Sequence, residues 1–260
     1  MSHKARKRFG QNFLQDHNII YQILAHIHAN KDQHWVEIGP GQGALTEPLL
    51  KTGATLDIVE LDRDLVVFLK EKFSLQENLT IHSGDALNFD FQALAKTNEK
   101  LRIIGNLPYN ISTPLLFHLL ANADSIADMH FMLQKEVVDR ICASAGNKKY
   151  GRLTVMMQYY CHSEHLFDVP PESFDPIPKV MSAIVRCVPH SKPPVDVDVT
   201  VLNTVVTHAF SQRRKTIRNS LKKLLEETEI EALDINPKAR AEEINLEEFA
   251  KLANFLVDKT

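Results

Sequence analysis

Short apolar runs alternate with stretches of helical period through the first half of this chain, and that rhythm restricts the fold more than any single motif. The runs are 34–38 (HWVEI), 55–59 (TLDIV), 78–82 (NLTIH), 101–104 (LRII) and 128–133 (DMHFML). Helical stretches follow at 45–52 (closed by Gly53), 63–73, 91–96, 113–121 and 135–145. Ahead of them, Ile19, Ile20, Ile23, Leu24 and Ile27 recur at helical spacing and predict an amphipathic helix over 17–29. Strands of this kind, each handed on to a helix, imply a mostly parallel sheet covered on both faces. HLFDV (165–169) and MSAIVRCV (181–188) are joined by a Pro-rich loop and no helix, which predicts an antiparallel edge strand.

The pattern then changes. VPHSKPPVDVDV (188–199) has no period and reads as a linker. Beyond it the period is helical at 200–210, 214–227 and 246–257. The expected organisation is an α/β domain over 1–190, a linker over 191–199 and a small all-helical C-terminal domain over 200–260. An appendage that small has little core of its own and is expected to dock on the main domain.

Composition narrows the function classes. No apolar run approaches the roughly 20 residues that cross a bilayer. The basic N-terminus, MSHKARKRFG, leads into no apolar signal core, so a cytoplasmic protein is expected. Cys142, Cys161 and Cys187 form no CxxC pair and suit reduced thiols. The tight group Cys161–His162–Ser163–Glu164–His165 has no second cluster to complete a metal site, and no metal is expected. Nothing demands more than a monomer.

The formal net charge of −3 conceals a segregation. Lys4, Arg6, Lys7 and Arg8 crowd one end, and Arg213, Arg214, Lys215, Arg218, Lys222 and Lys223 form a second block free of acids. Residues 226–260 carry ten acids against four Lys/Arg and mask those blocks in the total. Segregated cations suit a polyanion such as RNA; a solvated helix face is the plainer alternative.

Four polar signals fall at successive strand ends. VEIGPGQGALT (36–46) puts Gly39, Gly41 and Gly43 between a strand and a helix, where backbone amides approach a ligand closely. Glu60 closes the next strand and can accept from both hydroxyls of a ribose. These features alone admit NAD, FAD or S-adenosylmethionine. Asp85, with Ala86 beside it in SGDAL, follows the third strand; it can accept from a cofactor adenine amine, or simply cap a turn. NLPYNIS (106–112) follows the fourth. There the Asn106 side-chain oxygen and the Leu107 carbonyl can bond the two N–H groups of an adenine amine, and Tyr109 can stack on the ring. In FDPIPKVMS (174–182), Phe174 heads a loop stiffened by two prolines. It can cover the other face of the base, or serve as ordinary core.

KRFGQNFLQD (7–16), VEIGPGQGALT, VELDRDL (59–65), GDAL (84–87), NLPYNIS and FDPIPKVMS stand in an order that resembles the KsgA/RsmA-type ribosomal RNA adenine dimethyltransferases. AFSQRRKTIRNSL (209–221) extends the likeness into the helical appendage. The resemblance implies a Rossmann-like class I methyltransferase sheet and S-adenosyl-L-methionine as methyl donor. It implies N6,N6-dimethylation of two adjacent adenosines near the 3′ end of 16S rRNA, in the 30S subunit or its precursor. By position, Asn12, Leu14, Gly39, Gly41, Glu60, Asp85, Ala86 and Asn106 would hold the cofactor, and Tyr109 and Phe174 would clamp the base. Erm-type enzymes, which methylate one 23S rRNA adenine, resemble the chain too. A nicotinamide dehydrogenase lacks an organised proton donor here, and a non-catalytic assembly factor would not need the intact site.

Overall fold

A computed structural model of the chain describes residues 11–96, 99–108, 111–212 and 214–259. Its strands are β1 (Phe13–Leu14), β2 (His34–Ile38), β3 (Thr55–Glu60), β4 (Leu79–Ser83), β5 (Leu101–Asn106), β6 (Ile126–Gln134), β7 (Cys161–Val169), β8 (Phe174–Asp175) and β9 (Ser182–Pro189). Its helices are α1 (His17–Ile27), α2 (Thr46–Lys51), α3 (Arg63–Lys72), α4 (Ser112–Leu120), α5 (Lys135–Ile141), α6 (Arg152–Tyr160), α7 (Val199–Phe210), α8 (Ile217–Leu221), α9 (Glu227–Ala232) and α10 (Leu246–Asp258).

Among the described residues, seven strands form one sheet in the order β4-β3-β2-β5-β6-β9-β7, and β1 pairs with β8 in a separate two-stranded ribbon. β4, β3, β2, β5 and β6 run parallel, and β9 pairs with β6 antiparallel. The antiparallel strand is thus one place in from the edge, with β7 outermost. The order steps outward from β2 in both directions, so β2 and β5 flank a switch point where their loops diverge. β2 is buried along its whole length. Trp35, Leu56, Ile58, Leu101 and Ile103 are fully buried, each burial worth about 1.5–3 kcal/mol by transfer from water.

Helix starts are written into the chain. Asp16 accepts from the amides of Asn18 and Ile19 at the head of α1, and Asp62 accepts from Asp64 at the head of α3. Two expected helices come out differently. The stretch 91–96 makes one 3-10 turn, Gln92–Leu94, because fully buried Phe91 pins it and the chain is extended by Ala95. The stretch 214–227 yields α8 and then α9: Glu226 is extended, and its amide donates to the Glu229 carboxylate in a new helix start.

Contacts divide the chain into two units, residues 1–138 with 164–189, and residues 139–163 with 190–260. The second differs from the expected boundary by including 139–163. The reason is α6, which sequence reading passes over because its LTVMMQYY is rich in β-branched and aromatic residues. It buries Val155, Met156 and Met157 and packs with α7 and α10. Phe210 and Phe249 join that core with ring centroids 5.9 Å apart.

Candidate active site

Register brings the loop-bearing ends of the central strands together. Ile38 lies opposite Val59 on one side and Gly105 on the other, and Glu60 lies opposite Ser83. Gly39, Glu60, Asp85 and Asn106 therefore follow one another along the carboxyl edge of the sheet, where ligands of open α/β sheets sit. A cavity of about 230 Å³ opens there. Its walls include all eight residues expected at the cofactor: Asn12, Leu14, Gly39 and Gly41, then Glu60, Asp85, Ala86 and Asn106. Leu107 also lines it.

The glycine loop fits a ligand cradle. Gly39 and Gly41 have φ of 68° and 56°, a region L side chains rarely adopt. A Cβ on Gly41 would meet Phe13 Cδ1 at 2.8 Å. That ring belongs to the segment 11–16, which runs along the mouth of the cavity. Gln11 Nε2 donates to Asp62 Oδ2 at 3.2 Å, and the Gln15 amide donates to the Ser173 carbonyl at 2.9 Å.

Three carboxylates surround the cavity, each differently held. Glu60 Oε1 accepts from the Asp62 amide at 2.8 Å. Burial pushes the Glu60 carboxyl above its usual range, against the pull of the Asp62, Gly41 and Leu61 amides. Asp85 accepts from the Leu87 amide at 3.0 Å and from Asn88 Nδ2 at 3.2 Å, so it builds the turn while lining the cavity. Glu37 is the residue sequence reading missed. It is 2% exposed, lines the cavity, and takes a hydrogen bond from Thr46 Oγ1 at 2.5 Å. Burial pushes its carboxyl up to about 7, opposed by the Thr46 hydroxyl and assisted by the charge of Glu60. The signal was present: an acid flanked by Val36 and Ile38 in a strand buried along its whole length.

Asn106 stands at the meeting point. Its Nδ2 donates to the Asn12 carbonyl at 2.9 Å, which fixes the orientation of the amide because a carbonyl can only accept. The other function of that side chain is an acceptor, Oδ1. The Leu107 amide donates to the Met132 carbonyl at 3.2 Å and locks the turn onto β6. The placement of Phe174 corrects the expectation of an open ring. It is 3% exposed, packs in the core with Leu14, Ile20 and Ile184, and is not a wall of the cavity. Its pairing opposite Leu14 in the β1–β8 ribbon makes it a support for the segment 11–16.

Of the expected RNA contacts, Arg214, Lys215 and Lys222 are exposed in the helical unit, as is Lys223. Arg218 is partly buried and pairs with Glu227 at 2.6 Å. Tyr109, Lys4, Arg6, Lys7, Arg8 and Arg213 lie outside the described residues. No helix among the described residues is long and apolar enough to cross a membrane.

A parallel sheet with one inserted antiparallel strand, and a glycine-cradled cavity at its carboxyl edge, defines a Rossmann-like methyltransferase. The matched structures agree: a dimethyladenosine transferase from Plasmodium falciparum superposes with a TM-score of 0.79 at 23% identity, covering 95% of this chain and 98% of that one. The 23S rRNA methyltransferase ErmE gives 0.75 at 25% identity, covering 95% and 100%. The family model for ribosomal RNA adenine dimethylase matches residues 2–258, and the chain belongs to that family. The Ribosomal RNA small subunit methyltransferase A of Pseudomonas aeruginosa is 56% identical over 257 residues, spanning 98% of this chain and 96% of its own. Its namesake from Methylococcus capsulatus is 56% identical over 256 residues, spanning 98% and 99%.

Proposed function

We propose that this chain transfers methyl groups from S-adenosyl-L-methionine to N6 of two adjacent adenosines near the 3′ end of 16S rRNA, within the 30S subunit or its precursor. The observation that carries the reading is Asn106, whose amide nitrogen is committed to the Asn12 carbonyl at the wall of the cavity. That tether leaves an acceptor for an adenine amine beside the cofactor cradle.

When bound, S-adenosyl-L-methionine supplies an electrophilic methyl group. Gly39, Gly41, Asn12 and Leu14 hold its amino-acid part, Glu60 accepts from the ribose hydroxyls, and Asp85 with Ala86 receives the adenine. The Asn106 oxygen and the Leu107 carbonyl accept from the two N–H groups of the target N6. These bonds draw the nitrogen toward tetrahedral geometry and localise the lone pair that attacks. Once alkylated the amine is acidic, and its proton leaves to water. Holding the two centres in line contributes up to roughly 7–11 kcal/mol of barrier reduction. Tyr109 stacks on the base, which has left its own stack to reach the site. Arg214, Lys215 and Lys222 meet RNA phosphates.

The test is transfer of labelled methyl from S-adenosyl-L-methionine to immature 30S particles. Wild-type protein labels 16S rRNA, and Asn106→Ala lowers the rate by about 10²–10³-fold, the cost typical of losing one polar group that steadies developing charge. Particle binding by the variant persists. Undiminished transfer by Asn106→Ala removes that residue from the chemistry, and label in 23S rRNA moves the substrate to the large subunit.

A further inference from the structure

The apolar side chains exposed on this molecule are unevenly placed. Ile177 is 66% exposed, Val180 43% and Met181 38%, so three of the eight large apolar side chains exposed among the described residues fall within five positions. Those positions form the loop between β8 and β9. One end of the loop is fixed where Asp175 lies opposite Phe13, next to the segment whose carbonyl holds Asn106. The other end is fixed where the Lys135 amide donates to the Met181 carbonyl at 2.9 Å, one step beyond the pair Gln134–Ser182. Asn106 itself lies opposite Met132. Met181 is therefore three residues, roughly 10 Å, beyond the Asn106 rung along the strand axis, overhanging the carboxyl edge. Pro178 is buried and seats the loop, while its neighbours Ile177 and Lys179 are exposed.

We infer that Ile177 is a wedge that enters the RNA stack where the target adenosine leaves it. The inference rests on the reading that this site methylates an extruded adenine. Extrusion opens a gap between the flanking bases, and an apolar side chain on a stiff loop can fill that gap while the base is held elsewhere. One anchor adjoins the segment that holds Asn106 and the other lies three residues beyond its rung, which sets the loop beside the step where the target base would leave its stack. Two prolines limit its freedom, which lowers the entropy lost on insertion. Lys179 beside the tip offers a cation to the adjoining phosphate. Of the three, Ile177 is the most exposed, and an apolar group left that open at the edge of a site suits contact with a ligand.

The experiment uses the full chain with immature 30S particles, in a single-turnover assay, and with particles reconstituted to carry 2-aminopurine at the target adenosine. Ile177→Ser lowers the single-turnover methylation rate by about 5- to 150-fold, the range expected when the unstacking of one base step is no longer offset by an apolar wedge. It also suppresses the 2-aminopurine fluorescence rise seen with wild-type protein. Its affinity for S-adenosyl-L-methionine stays that of wild type, and Ile177→Leu restores rate and fluorescence. A serine variant with wild-type rate and fluorescence overturns the wedge. Weakened particle binding, with rate at saturation and fluorescence unchanged, overturns it too and makes the loop a docking contact. Failure of wild-type protein to transfer methyl to any rRNA would instead refute the underlying reading of the site.

Discussion

Buried polar groups occur in two settings in the α/β unit, and they behave in opposite ways. Within the sheet most of them meet one another, the exception among the described residues being His130, buried in β6 with neither ring nitrogen hydrogen-bonded. On one face, Asp57 accepts from His34 Nε2 at 2.6 Å and from His82 Nε2 at 2.5 Å. On the other, Arg102 forks onto Asp128 at 2.8 and 2.7 Å, reaches the Ile27 carbonyl and Gln33, and lies 4.2 Å from the Trp35 ring. At the carboxyl edge, Glu37 and Glu60 are held by neutral donors, a hydroxyl for one and backbone amides for the other, and burial drives both upward in pKa. Burial acts on Asp57 as well, but hydrogen bonds from two imidazoles outweigh it and the net shift is downward. Polar groups that complete one another hold the sheet together; those completed only in part remain able to take a ligand, at a cost in stability.

The largest effect should come from breaking a completed pair. Asp128→Ala leaves the Arg102 guanidinium, whose side chain is 13% exposed, without its counter-ion. Removing one partner of a buried pair costs about 3–5 kcal/mol. Urea unfolding followed by the fluorescence of Trp35, the single tryptophan, reads that loss directly. The affinity of the folded fraction for S-adenosyl-L-methionine should not change. A loss of stability no greater than that of a typical surface substitution would mean the pair is not structural.

Glu37→Gln tests the opposite setting through pH. The free carboxyl titrates near 4.5 and the folded one near 7. Between those values the folded state keeps a proton that the unfolded state has lost, so stability falls as pH rises. The loss is complete above pH 7 and, at about 1.4 kcal/mol per unit, amounts to as much as about 3 kcal/mol. Glutamine has no proton to lose, so the variant's stability should stay flat across that window and exceed wild type at pH 8. Asp57→Asn should do the reverse. The folded carboxyl titrates below its free value, so its contribution is present at neutral pH and disappears on acidification. Parallel pH profiles for wild type and Glu37→Gln would show that Glu37 is not the titrating group.

What could be read in the chain divides along the same line. The central strands and the cavity glycines were legible because each depends on local information: apolar runs, glycines at a strand end, an acid closing the next strand. Six strands appear within two residues of their expected bounds. Partnerships between distant positions were not legible. Asn106 could be singled out, but its tether to Asn12, 94 residues away, depends on the β1–β8 ribbon, and two-residue strands carry no period. Phe174 reads as a clamp by a narrow margin over core, on its pairing with Tyr109, until its place opposite Leu14 and its burial set it in the core. Glu37 was hidden by its strand: VEI looked like a core segment, and only tertiary packing turns the acid onto Thr46 and the cavity. α6 was missed because propensity is a weak prior for its residues, and burial against α7 and α10 decides its state.

Glu60→Gln gives the smallest expected effect and the sharpest separation of the two settings, because its two consequences have opposite signs. Glutamine preserves the shape of the side chain but keeps one acceptor oxygen. If that oxygen stays with the Asp62 amide, the contact proposed for the ribose hydroxyls is lost. Hydrogen bonds to a charged group contribute about 1.5–3 kcal/mol, so affinity for S-adenosyl-L-methionine should fall about ten- to a hundredfold in a binding titration. Stability should not fall with it. The buried carboxylate is already disfavoured, as its raised pKa records, so the neutral amide should leave the protein at least as stable near neutral pH. A variant that loses stability along with affinity would place Glu60 with Asp128 among the groups that hold the sheet. A variant that keeps full affinity would remove it from the cofactor site.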